Sequence, residues 1–126
     1  MPSLDWQRFC DGANLTVDGQ NRILVSLPGQ RRHRVRVADE ADCLVLSAMV
    51  ARAAILEAVD RPILWAWRRN RGTRLVGFRL DARDALIGEA RVPKAGISGE
   101  EFRTYVNAVA RECDRFEYLL TGQDRE

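Results

Sequence analysis

The sequence has few of the residues that usually carry disulfide, metal or catalytic chemistry. It contains three cysteines and a single histidine among its 126 residues. Cys10, Cys43 and Cys113 form no C-x-x-C pair, and an odd number of separated cysteines suits neither a disulfide framework nor a zinc site. No nucleophile motif surrounds any of them, and His33 stands in an arginine-rich segment. We therefore expect a protein that is not an enzyme and that needs no metal or cofactor.

Long apolar runs are also absent. The longest stretch without Asp, Glu, Lys or Arg is Cys43–Ala51, which is far shorter than the ~20 apolar residues that a membrane-spanning helix needs. The N-terminus lacks the basic segment and apolar run of a secretory signal. With 46% hydrophobic residues, the chain is too apolar for intrinsic disorder. These features predict a single domain over residues 1–126, located in the cytoplasm and without a membrane partner.

Positive charge is carried almost entirely by arginine. Of the 20 basic residues all but Lys94 are Arg, and 18 acidic residues leave a formal net charge of +2. Arginines cluster in two segments, 30–36 and 68–74. Such clusters can contact the phosphates of a nucleic acid, but arginines also solvate the outer face of a strand and offset the dipole at a helix C-terminus. Nucleic-acid binding through these clusters is therefore the alternative function.

The first half of the chain predicts a short helix and then three strands. Ser3 is placed to cap a helix over residues 4–11 that Gly12 ends. Branched apolar residues at 22–27 lie between two turn signals and predict a strand. Residues 33–39 alternate between apolar and arginine side chains, which is the period of a half-buried strand. The compact apolar run at 43–50 favours a third strand, although residues 43–58 could also form a helix.

The middle of the chain predicts a helix followed by a hairpin. Pro62 suits the first turn of a helix over residues 60–70, with Asp60 as its N-cap, after a looser helical stretch at 53–59. Two alternating segments, 75–81 and 85–92, flank a polar turn and predict two antiparallel strands.

A long amphipathic helix ends the predicted order of elements. Ser98 and Glu101 have the spacing of a capping box, and apolar residues then recur every three or four positions over 98–120, up to Gly122. The order is α-βββ-α-ββ-α. Because the strands come in hairpins, we expect an α+β fold with an antiparallel sheet of about five strands and helices packed on it.

A series of segments in the C-terminal half has a distinctive order. Asn ends the middle helix, the hairpin and a Pro follow, and the last helix carries an Ala-Asp-like segment. The segments are Trp67-Arg68-Arg69-Asn70, Val76 to Asp81, Gly88 to Pro93, Gly96 to Phe102 and Ala110 to Glu117. This order resembles the YbjN family, whose members are described as sensory-transduction or stress-linked regulators. The resemblance covers residues 60–120 well and residues 1–55 in element order.

The resemblance implies the fold of class I type III secretion chaperones. These are small dimers of helix–sheet–helix form that bind extended segments of partner proteins. Secretion chaperones are usually acidic, whereas this chain is slightly basic, which favours the YbjN side. We therefore expect a chaperone-like or regulatory protein-binding module that acts as a homodimer and binds a segment of a partner protein.

The middle helix supplies most candidates for an interface. Trp65 and Trp67 point about 160° apart, since each residue turns an α-helix by about 100°. Both indoles therefore cannot face one core, and one of them is expected at a subunit or partner interface, where Trp dominates affinity. The candidates are Ile63, Leu64, Trp65, Trp67 and Phe78; the alternative for each is packing in the core of the monomer.

The arginine-rich strand supplies the remaining candidates. Arg32, Arg34 and Arg36 alternate with apolar residues and are expected on one face of a strand at the edge of the sheet. An edge strand can pair with an added strand from a partner. We expect the arginines to favour an acidic partner segment.

Overall fold

The computed structural model describes residues 5–11 and 14–121 and is built on an antiparallel sheet with helices packed against it. Within these ranges the sheet has six strands in the order β1-β2-β3-β4-β6-β5. The strands are β1 Leu15–Val17, β2 Arg22–Leu27, β3 Arg31–Asp39, β4 Cys43–Ala51, β5 Gly77–Leu80 and β6 Leu86–Pro93. The helices are two 3₁₀ helices at Trp6–Cys10 and Pro28–Gln30, and α1 Ala53–Leu56, α2 Pro62–Gly72 and α3 Gly99–Thr121.

The expected α+β class and order of helices and strands are confirmed, but the strand count is higher than expected. The additional strand is β1, whose three residues pair with β2 from Leu15↔Val25 to Val17↔Ile23. Residues 43–51 form a strand that pairs with β3 and β6, which decides against a helix there. In the described part of the chain no helix is long and apolar enough to cross a membrane.

The start of α2 differs from the expectation. Arg61, and not Asp60, is the residue that precedes the helix, with a left-handed backbone at φ 52° and ψ 61°. The residue before a proline is disfavoured in the right-handed helical region. The helix therefore begins at Pro62 and runs to Gly72.

The N-terminal helix is shorter than predicted and is a 3₁₀ helix. Phe9 and Trp6 pack against Phe102 at the start of α3, with ring centroids 5.4 and 6.2 Å apart. Arg103 Nη1 donates a hydrogen bond to the Phe9 carbonyl at 3.0 Å. Three residues predicted to begin or end helices lie outside the described residues, namely Ser3, Gly12 and Gly122.

The core lies between one face of the sheet and α3. On β3 the alternation holds as predicted, with Val35 and Val37 buried and the arginines exposed. The apolar face of α3 is buried against this side of the sheet, through Phe102, Val106, Val109, Cys113 and Phe116. Burying such side chains gives about 25 cal/mol per Å² of apolar surface, which is what fixes α3 on the sheet.

Close packing between α3 and β6 depends on Gly88. A Cβ at this position would overlap Cys113 Sγ and would lie 2.9 Å from Phe78 Cε1. Phe78 in turn packs edge-to-face on Phe116, with ring centroids 4.9 Å apart. The missing side chain of Gly88 therefore makes room for two core side chains.

The capping box at the start of α3 is formed in part as predicted. The Glu101 amide donates to Ser98 Oγ at 3.0 Å, and Ser98 Oγ donates to Glu101 Oε1 at 3.1 Å. The carboxylate thus pairs with the serine hydroxyl instead of the serine amide. The first turn still has an acceptor for one of its free amides.

Candidate functional site

Apolar side chains of α2 lie on the surface of the chain. Ile63 is 66% exposed, Trp65 39% and Trp67 56%, whereas Ala66 is buried and Leu64 is half-buried. Because of the helical period, Ile63 and Trp67 share one side of α2 and Trp65 lies on another. Both tryptophans are thus open to solvent, where one was expected. We call Ile63, Trp65 and Trp67 the α2 surface.

Phe78 does not belong to this surface. It is 5% exposed and packs against Phe116 in the core. Its position on β5 faces inward, toward α3, and the helix covers it. For Phe78 the structure therefore shows packing in the core of the monomer, which was the alternative to an interface role.

The expectation that the arginine-rich strand is a sheet edge is wrong. β3 pairs with β2 along Arg31–Arg36 and with β4 along Arg36–Asp39, so it lies inside the sheet. Arg32, Arg34 and Arg36 project from the outer face, opposite α3, where all three are exposed. They can meet a partner on this face, but β3 is not a terminal strand of the described sheet.

The true edges of the described sheet are β1 and β5, and the β5 edge is covered. The Phe78 amide donates to Asn70 Oδ1 at 2.6 Å, and Asn70 Nδ2 donates to the Phe78 carbonyl at 3.0 Å. The side-chain amide of α2 thus takes up the two backbone groups that an added strand would use. The other edge, β1, has three residues.

A concavity of about 800 Å³ lies on the outer face of the sheet. Met49, Ile87 and Ser47 contribute to its floor. Its described lining contains one acidic residue, Asp81, and six arginines. The arginines are Arg22, Arg34, Arg36, Arg52, Arg79 and Arg83. We call this concavity the arginine trough.

The arginines of the trough differ in their partners. Arg79 Nε donates to Glu89 Oε1 at 2.9 Å, a bond that raises the pKa of the Arg79 guanidinium above its usual value. Arg34 Nε lies 3.9 Å from Asp18 Oδ2, between two exposed side chains, where an ion pair contributes little. Arg22 and Arg36 stand directly opposite each other on β2 and β3. The side of the trough on β2 and β3 is therefore strongly positive.

A group of titratable side chains is buried between β3 and α3. His33, Asp114 and Glu117 each have one potential metal-ligand atom, and these three atoms all lie within 4.8 Å of one another. His33 Nε2 lies 2.8 Å from the Met49 carbonyl and must donate to it, since a carbonyl oxygen only accepts. Arg31 Nε lies 3.2 Å from Asp114 Oδ2. A histidine and two carboxylates can ligate a divalent cation, but Arg31 already places a positive charge beside them.

Sequence reasoning missed this buried group, although part of the signal was present. The alternation in residues 33–39 puts His33 on the same face of the strand as Val35 and Val37. Asp114 and Glu117 are three residues apart on the predicted last helix and hence on one side of it. What the sequence does not give is that these two elements are adjacent at this point.

Two of the three cysteines, Cys10 and Cys113, are buried. Burial raises the pKa of the Cys10 thiol to about 11 and raises the pKa of Cys113 above its ordinary value. Both thiols therefore stay protonated at neutral pH, and the thiolate is the reactive form. Cys113 Sγ instead lies 3.7 Å from the Ala48 carbonyl in the core.

One family model matches almost the whole chain. The family model described as "YbjN: Putative bacterial sensory transduction regulator" matches residues 4–120. No curated protein matches the sequence significantly.

Two solved structures have a similar fold. A chain of the ExsC-ExsE complex has a TM-score of 0.59 and 17% identity over 91% of this chain and 92% of its own. A chain of the heterodimeric ExoU-SpcU complex, from the type III secretion system of Pseudomonas aeruginosa, has a TM-score of 0.61 and 10% identity over 93% and 98%. At these identities the likeness concerns the fold, and it confirms the secretion-chaperone-like architecture expected from the sequence.

Proposed function

The chain belongs to the YbjN family, and we propose that it is a non-enzymatic, chaperone-like or regulatory protein that binds a segment of a partner protein. We propose further that it is a single domain that forms a homodimer in the cytoplasm. The observation that carries this proposal is the α2 surface. Ile63, Trp65 and Trp67 are exposed, and exposed aromatic and aliphatic side chains on one short helix are typical of protein interfaces.

The fold supports protein binding as the activity. The two similar structures are complexes of two proteins, ExsC with ExsE and ExoU with SpcU. The chemistry of the described residues supports a non-enzymatic role, because the single histidine is buried and bonded to the Met49 carbonyl. The two buried cysteines have raised pKa values and are protonated.

The geometry of α2 favours self-association on one of its sides. Ile63 and Trp67 lie on the same side of the helix, and the Arg71 guanidinium stacks over the Trp67 ring at 5.2 Å from its centroid. Tryptophan and arginine are the residue types that most often dominate binding energy at interfaces. We assign the Ile63 and Trp67 side of α2 to the contact between two copies of the chain, which leaves Trp65 for the partner protein.

The oligomeric state tests this assignment. The experiment is size-exclusion chromatography with light scattering on the wild type, Trp67→Glu and Tyr118→Glu over a range of protein concentrations. Tyr118 is a matched control, since it is an exposed aromatic residue of α3 with the same 56% exposure as Trp67. We expect twice the 14.3 kDa chain mass for the wild type and Tyr118→Glu, and the single-chain mass for Trp67→Glu.

Two results would contradict the assignment. If the wild type stays monomeric at micromolar concentration, the proposed homodimer is wrong. Dissociation of Tyr118→Glu to the same degree as Trp67→Glu would mean that α2 is not the contact.

Nucleic-acid binding is the second candidate function. The arginine trough favours it, because clustered guanidinium groups attract phosphates. The experiment in the next subsection includes this candidate as one of its outcomes.

A further inference from the structure

We propose that the arginine trough binds an acidic, amphipathic segment of the partner protein, with carboxylates on its arginines and apolar side chains on its floor. This inference rests on the proposed function and deepens it by naming the chemistry of the bound segment. For the arginines, it moves the expected partner contact from a sheet edge to the outer face of the sheet, in addition to the contact proposed for Trp65.

The charge distribution is the first argument. Arg22 and Arg36 form a directly opposite pair on β2 and β3, and like charges in this position destabilise a sheet. Arg34 is two residues from Arg36 on the same face, and its ion pair with Asp18 spans 3.9 Å between exposed side chains. A bound carboxylate between these guanidinium groups would turn repulsion into charge-assisted, bidentate hydrogen bonds.

The floor of the trough is the second argument. Met49 and Ile87 are direct cross-strand partners on β4 and β6, and both are half-buried. They lie between Arg36, on the neighbouring strand β3, and Arg79, which is opposite Ile87 on β5. A strip of apolar surface between two sets of arginines fits a segment whose carboxylates flank apolar side chains.

The dimensions of the sheet give the length of the segment. From β2 to β5 the outer face crosses four gaps between neighbouring strands, in the order β2-β3-β4-β6-β5. At about 4.8 Å per gap this distance is about 19 Å, which about six residues of extended chain would span. A short linear segment is therefore long enough to reach from Arg22 to Arg79.

The lining of the trough favours a peptide over a single-stranded nucleic acid. Proteins that bind single strands combine positive charge with aromatic side chains on which the bases stack. No aromatic side chain is among the described residues that line the trough. Met49 and Ile87 instead suit aliphatic side chains, and planar guanidinium groups match carboxylates well.

Fluorescence anisotropy with defined probes tests the inference. The probe is a labelled 12-residue peptide of alternating Glu and Leu, compared with a peptide of 12 Glu and with a 12-nucleotide oligo-dT. We expect the Glu-Leu peptide to bind most tightly and its affinity to fall as salt is raised. Arg36→Glu should weaken binding at least about tenfold, since one charge-assisted contact is lost and a repulsion replaces it.

Arg32→Glu is the matched control. Arg32 lies on the same strand and the same outer face as Arg36, and the change of charge is identical, but Arg32 is not among the trough residues. We expect it to weaken binding less than about threefold through long-range charge alone. Circular dichroism on each variant checks that the fold is retained.

Arg22→Glu separates binding from folding. Glu at position 22 would face Arg36 across the β2–β3 pair and would replace a like-charge pair with an opposite-charge pair. We expect this variant to unfold at a higher temperature than the wild type while binding the Glu-Leu peptide more weakly. If the arginines had only a structural role, the higher unfolding temperature would not come with weaker peptide binding.

The remaining outcomes distinguish this inference from the proposed function. Equal losses in Arg32→Glu and Arg36→Glu, or equal affinity for the 12-Glu peptide, would overturn the site and leave unspecific charge attraction. Tighter binding of oligo-dT would replace the inference with nucleic-acid binding. If no peptide binds while the chain is still a dimer that depends on Trp67, the inference fails and the proposed homodimer stands.

Discussion

The two hydrogen bonds between Asn70 and Phe78 allow a sharp prediction about stability. Asn70→Ala removes the acceptor of the Phe78 amide at 2.6 Å and the donor to its carbonyl at 3.0 Å. A backbone group left without its partner costs about 1–3 kcal/mol. Because both bonds are only partly buried, water can replace part of each, and we expect the variant to lose about 2 kcal/mol of unfolding free energy.

Asn70→Asp distinguishes the hydrogen bonds from simple packing. The carboxylate keeps an acceptor for the Phe78 amide, but it places a second acceptor against the Phe78 carbonyl. At neutral pH this variant should be at least as unstable as Asn70→Ala. Acidification should restore part of its stability relative to Asn70→Ala, since a protonated carboxyl group can donate to the carbonyl again.

Urea denaturation followed by tryptophan fluorescence measures both changes. With a urea dependence of about 2 kcal/mol per M, a loss of 2 kcal/mol lowers the midpoint by about 1 M. The protein concentration must be the same for all variants, because dimerisation would add to the apparent stability. Asn21→Ala is the control, since Asn21 is exposed in the β1–β2 connection. A loss below about 0.5 kcal/mol in Asn70→Ala would refute the reasoning, because that is the range of ordinary surface substitutions.

Two further predictions concern the core and the thiols. Gly88→Ala should lose about 1–3 kcal/mol or more of unfolding free energy through overpacking against Cys113. Gly77→Ala is the control, since an added Cβ meets nothing within 4 Å there, and it should lower the urea midpoint far less. Equal effects of the two changes would contradict the close packing at Gly88. Because burial raises the pKa of Cys10 to about 11 from 9.0 in the unfolded chain, the folded state keeps its proton longer, and stability should fall as pH rises from about 9 to 11. At pH 8 a thiol reagent should label the half-buried Cys43 rapidly and the buried Cys10 and Cys113 only on unfolding; rapid labelling of all three would contradict this.

Local features of the sequence predicted local structure well. The alternation around Val35 and Val37 gave the buried and exposed faces of β3, and the spacing after Ser98 gave α3 nearly to the residue. These features depend on residues close together in the chain, where the period of a strand or a helix is decided by hydrophobic burial.

Features that depend on distant pairing could not be predicted in the same way. Hairpins indicate which strands pair in sequence, but they do not show that β6 lies between β4 and β5. The edge position expected for β3, and with it strand addition at its arginines, is wrong for a different reason, because β2 also pairs with β3 along Arg31–Arg36. The burial of Phe78 likewise depends on Phe116, which lies far along the chain and packs on it from α3.

Asn70 shows how a pattern can be informative before its reason is known. Its place at the end of a helix ahead of a hairpin is part of the resemblance to the YbjN family. The structure gives the physical reason, since the residue fastens α2 to the edge of β5. Neither the helical period nor residue composition predicts this contact, because it joins a side chain of α2 to the backbone of the next strand along the chain.

The position of β6 between β4 and β5 has a consequence for the synthesis of the chain. The strands β2, β3 and β4 are consecutive in sequence and can assemble as soon as they leave the ribosome. β4 then waits for β6 while residues 52–85 are made, and closing this long segment carries an entropic cost that slows the pairing. β4 is also the longest uncharged stretch of the sequence. During this interval the edge of β4 is open, and an unpaired strand edge is prone to aggregation until the β5–β6 hairpin docks on it.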